Sequence, residues 1–153
     1  MTPNDEQPLG PGRASAGDDQ APDADEVPLR AVIRRLLTPA RAGLFLGRAD
    51  LARLGAAIGF PLPALDRRLM LEHLFVATAP AGALPRLLDL LVAEADAWVA
   101  TYEEWERLYP RSATIWAEWR GRAQALRAEL AEMRAAATSL AAEPTASQPT
   151  PEG

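Results

Sequence analysis

Eight residues, Leu84, Leu88, Leu91, Ala95, Trp98, Tyr102, Trp105 and Tyr109, recur at spacings of 4-3-4-3-4-3-4. This alternation keeps one face of an α-helix apolar, and it does not fit the period of two of a half-buried strand. It predicts one helix of about 25 residues, ended by Pro110. A second seam follows: Ser112 is a candidate N-cap, and Ile115, Trp119, Leu126, Leu130, Met133, Ala137 and Leu140 mark the apolar side of a further helix. Only YPRS separates the two, so they are expected to fold back as an antiparallel hairpin.

All four tryptophans and both tyrosines fall within residues 98–119. In the hairpin, Trp98, Tyr102, Trp105 and Tyr109 meet Ile115, Trp116 and Trp119 near the tip. An aromatic core there is the simplest reading, each ring pair adding ~0.5–1.5 kcal/mol beyond the area it buries. Trp105, in the seam, is expected to be buried. Trp116, off the seam, is the aromatic expected at the surface. A partner-binding reading of the cluster rests on Trp116, Trp119 and Tyr109.

Ahead of the hairpin the signals are again helical. Leu29, Val32, Ile33, Leu36 and Leu37 follow 3-4 spacing between Pro28 and Pro39. ARAGLFLG reads as a connector with a buried apolar strip. Asp50 is the expected cap of a second short helix that ends near Gly59. A third is expected from Pro63, lined by Leu65, Leu69, Met70 or Leu74, and Phe75. The fold class is therefore all-α: three short helices packed on a long antiparallel hairpin.

Residues 1–26 carry seven acids against Arg13, and residues 142–153 add Glu143 and Glu152. Both segments are rich in proline and small residues and lack apolar periodicity, so both read as disordered tails that are dispensable for folding. Residues 27–141 are left as one helical domain. Removing −6 and −2 from the net charge of −5 leaves that domain at +3. Its first part, residues 27–75, has eight arginines against three acids. All sixteen basic residues are arginine, which is read as genome composition rather than selection for anion binding.

Several chemistries find no support. With no cysteine, disulfides, thiolate catalysis and cysteine-based metal sites are excluded. His73 is the single histidine, and no Glu-x-x-His pair accompanies it, so no metal or cofactor is expected. Glu94, Asp96, Glu103, Glu104 and Glu106 lie off the apolar seam and read as a solvated face. LGAAIG has no strand before it and is no nucleotide loop. Neither a leader pattern nor a stretch of ~20 apolar residues appears, so a cytoplasmic protein away from membranes is expected.

LARLGAAIGFPLPALDRRLM, residues 51–70, resembles a helix-turn-helix. Leu54, Gly55, Ile58, Gly59, Phe60 and Leu65 occupy its small and hydrophobic places. That resemblance implies DNA contact through Arg67 and Arg68, joined by Arg53, with the hairpin as dimerisation arm. EHLFVATAP, residues 72–80, is similar to a short segment of the all-helical maturation chaperones of molybdenum oxidoreductases. The primary expectation is a non-catalytic module that binds another protein, as adaptor, assembly factor or maturation chaperone. A DNA-binding regulator is the alternative. The seam could also serve a homodimer.

Overall fold

The computed structural model describes residues 28–80 and 82–142, so the expectations for the two tails fall almost wholly outside it. Among the described residues the chain is helical throughout, with no strand. The elements are α1 (Pro28–Leu37), α2 (Pro39–Ala42), α3 (Arg48–Ala57), α4 (Arg67–Thr78), α5 (Leu84–Leu108) and α6 (Ala113–Ala142). A 3-10 turn, Pro110–Ser112, joins the last two.

Local chemistry explains the boundaries. Thr38 precedes a proline and is held extended, at φ −111° and ψ 92°. Helix α1 therefore stops there, and Pro39 opens the one-turn α2. Gly43 ends α2 in the left-handed conformation at φ 74°, its N–H bonding Pro39 O at 2.8 Å. At the end of α3, Gly59 N–H bonds Ala56 O and Phe60 N–H bonds Gly55 O, the paired pattern that a left-handed glycine permits.

Two helix starts differ from expectation. Helix α3 begins at Arg48 with Gly47 as N-cap. Asp50 sits three residues further in, and its Oδ2 accepts the Gly47 N–H at 2.8 Å. It still satisfies a first-turn donor, but from inside the helix. Helix α4 begins at Arg67 and not at Pro63. Pro61 and Pro63 disfavour helix at the residues before them, and Asp66 caps the helix by accepting the Leu69 N–H at 3.0 Å. The later start sets the buried face to Met70, Leu71, Leu74, Phe75 and Thr78, and turns Leu69 outward at 44% exposure.

Helices α5 and α6 run antiparallel. Their ion pairs record the direction: Arg120 with Glu106, Arg127 with Asp96 and Arg134 with Asp89. On α5, Leu87, Leu88, Leu91, Ala95 and Tyr102 are buried, with Leu84 and Trp98 partly so. On α6 the inward face is Trp116, Trp119, Ala123, Leu126, Leu130, Met133 and Ala137. That is a 3-4-3-4-3-4 run, one residue out of phase at its start from the expected seam. Ile115 is correspondingly 53% exposed.

The short helices pack along this pair as far as Tyr102 of α5 and Trp119 of α6, short of the tip. Leu36, Leu44, Leu46, Leu51, Leu54, Leu71, Leu74 and Phe75 join Leu87, Leu88, Leu91 and Leu126 in one core. Leu44 and Leu46 in the connector are buried as expected, and Phe45 between them is exposed. Arg35 reaches from α1 to Glu129 of α6. The one buried polar side chain among the described residues, Thr78, is satisfied by Leu74 O and Phe75 O in its own helix.

Candidate partner-binding surfaces

Tyr102 is the hub of the aromatic cluster. Its ring centroid lies 5.6 Å from Trp98, 5.8 Å from Trp105, 6.3 Å from Trp116 and 6.5 Å from Trp119. Trp116 stacks on it at an interplanar angle of 13° and meets Trp105 edge-on at 4.8 Å. Trp116 is therefore part of the plug, which corrects the expectation that it would be the exposed ring. The α6 face explains the difference: position 116, not 115, continues the run from Trp119 toward the tip. Trp105 is half-buried beside it. The Trp116 Nε1–H is enclosed and has no acceptor among the described residues.

The Tyr102 hydroxyl donates to the Gly43 carbonyl, and burial raises the phenol's pKa above its usual value near 10. Gly43 itself is pressed against α6. A Cβ there would stand 2.4 Å from Ala123 N and 2.6 Å from Trp119 O. The end of α2 is thus locked between a side chain of α5 and the backbone of α6.

Beyond the plug, the tip exposes large apolar side chains between Arg107 and Arg111 and just after them. Tyr109 lies outside α5 at φ −124° and ψ 70°, so its ring leaves the seam and is 56% exposed. Leu108 and Ile115, on either side of the 3-10 turn, are also more than half exposed. The three residues named for partner binding are therefore divided. Tyr109 is at the surface and Trp116 is in the plug. Trp119 is half-buried, with the Arg122 guanidinium 5.5 Å from its ring centre. Close behind them Arg120 binds Glu106: Nη2 donates to Oε1 at 2.9 Å, and Nε stands 2.8 Å from Oε2 but poorly aligned for a hydrogen bond.

The arginines named for DNA contact have partners inside the chain. Arg53 pairs with Glu94 and Asp50. Arg67 is half-buried, donates to Leu37 O and lies 4.7 Å over the Phe45 ring. Arg68 pairs with Glu72 at 3.0 Å. Nine residues, 58–66, separate α3 from α4. A helix-turn-helix has three or four, so that motif's geometry is not formed.

A second surface was not anticipated from the sequence. Helices α1 and α4 enclose an open groove of about 790 Å³. Leu29, Ile33, Leu37, Phe75 and Val76 supply its apolar lining, with arginines at its edges. Nothing in the spacing of either helix says that they are neighbours, so no sequence signal marks the groove.

His73 is exposed, and no group of three or more metal-ligating side chains converges among the described residues. Four of the acids on α5 hold arginines: Asp89 with Arg134, Glu94 with Arg53, Asp96 with Arg127 and Glu106 with Arg120. No described helix is long and apolar enough to cross a membrane. No family model, curated protein or solved structure matches this chain.

Proposed function

We propose that this chain is a non-catalytic module that binds another protein through the tip of its helical hairpin. Adaptors, assembly factors and maturation chaperones act in this way. One observation carries the reading: Leu108, Tyr109 and Ile115 are each more than half exposed within eight residues of chain, over a plug of packed rings. Large apolar side chains displayed on a rigid base suit a partner surface, because little conformational entropy is lost when they are covered. The aromatic plug holds the tip in one shape. The short helices pack along the hairpin as far as the plug, where Gly43 meets Tyr102, and Leu108, Tyr109 and Ile115 stay exposed beyond it.

Photo-crosslinking in lysate of the source cells tests this. A benzophenone amino acid in place of Tyr109 should give discrete adducts that disappear when Leu108→Ser and Ile115→Ser are added. The same probe at Ala97, exposed on α5 away from the tip, should not give them. Equal adducts from both positions would show that the tip has no special affinity, and the reading would fail.

A further inference from the structure

The α1/α4 groove is a separate surface from the tip. Its edges carry Arg30, Arg34 and Arg68, with Glu72 the one acid among its lining residues. Glu72 pairs with Arg68, and Arg30 adds a positive charge to the rim. Val76, in the lining, is 69% exposed, so a substantial apolar area is uncovered there.

The chain outside the structure has the complementary character. It enters at Pro28, the first residue of the helix that forms one wall. Immediately before it stand Asp18, Asp19, Asp23, Asp25 and Glu26, with no base among residues 18–26. We propose that residues 18–27 of this chain occupy the α1/α4 groove, their acids along the arginine rim and Ala21, Pro22, Ala24 and Val27 over its apolar lining.

Reach and concentration both favour this occupant. Ten residues of α1 span roughly 15 Å. Nine residues of extended chain reach roughly 30 Å, enough to double back along the whole wall. A short tether also holds the segment at an effective concentration in the millimolar range. A contact too weak to see between separate molecules is then populated within one. Charge supplies much of the attraction, so it weakens as salt shortens the Debye length from about 10 Å at 0.1 M.

The absence of cysteine allows a clean test on the full chain. Gln20→Cys carries a nitroxide without removing an acid, and its paramagnetic broadening is read by NMR on every assigned amide. Broadening should reach Leu37 at the far end of α1 and Val76 on α4, and spare Tyr109. It should fall at 0.5 M NaCl, and fall again in Arg30→Glu with Arg68→Glu. Asp23→Asn with Asp25→Asn should weaken it as well. Broadening that is confined to the first turn of α1, or indifferent to salt and to both charge variants, would overturn the proposal. So would broadening that appears when nitroxide-labelled chain is mixed with isotope-labelled chain lacking the nitroxide, because the occupant would then be a second copy. Groove amides that stay sharp in the labelled chain would leave the groove to a partner protein and contradict occupation by this segment.

Discussion

The Tyr102 hydroxyl on α5 donates to the Gly43 carbonyl at the end of α2, and this bond ties the short helices to the aromatic hub of the hairpin. Tyr102→Phe keeps the ring contacts but leaves the buried Gly43 carbonyl without that donor. The expected cost is ~1–3 kcal/mol, that of an orphaned buried polar group, read as a shift of the urea midpoint. A change within error would mean that the carbonyl finds water.

The same phenol gives a pH signature. Burial raises the Tyr102 pKa in the folded state above the unfolded value near 10. The unfolded chain therefore releases this proton first as pH rises, and the folded state is left holding more protons. The stabilisation is complete below pH 10 and is lost as pH climbs through the folded pKa. Wild-type stability should fall more steeply than that of Tyr102→Phe above pH 10, and the two curves should run parallel between pH 7 and 9.

Two left-handed glycines separate backbone strain from close packing. Gly43 and Gly59 have φ of 74° and 80°. A methyl group at Gly59 meets nothing within 4 Å, so Gly59→Ala should cost only the left-handed penalty of ~1–2 kcal/mol. Gly43→Ala carries that penalty and also drives a carbon into the α6 backbone, adding ~1–3 kcal/mol of overpacking. Equal thermal shifts for the two variants would contradict the wedge of Gly43 into α6.

Trp116 and Ile115 exchange their expected roles. Trp116→Ala should destabilise by ~2–4 kcal/mol, somewhat under the usual range for a fully buried aromatic because the ring is half-buried. Trp105→Ala should cost about as much. Ile115→Ala should stay within ~0.5 kcal/mol, as surface changes do. Denaturant titration of the three variants checks the order.

What the sequence made legible follows from where the pattern is strongest. The α5 heptad announced its helix and its length because apolar residues mark every turn and Pro110 closes it. The start of α6 carries no unique phase in its spacing. Ile115 and Trp116 both suit a position three or four residues before Trp119, and packing alone chooses between them. Ala123 went unread as a seam residue because alanine is ambiguous, although Gly43 packs directly against its backbone nitrogen. The sequence cues at Asp50 and Pro63 point to helix starts that belong to Gly47 and Asp66. Capping residues set such boundaries only within a few positions. The exposure of Tyr109, a seam residue by spacing, and the α1/α4 groove both come from tertiary neighbours that no local spacing encodes.

Trp116 closes the plug while the tip beyond it stays open. Fluorine NMR on 5-fluorotryptophan-labelled Tyr109→Trp tests it directly, since the fifth tryptophan reports from the exposed tip and single Trp→Phe changes assign the rest. A soluble paramagnetic agent should broaden the signal at position 109 strongly and those of Trp105 and Trp116 far less. A Trp116 signal broadened as much as that at position 109 would place the ring outside the plug and contradict both the α6 register and the partner surface built on it.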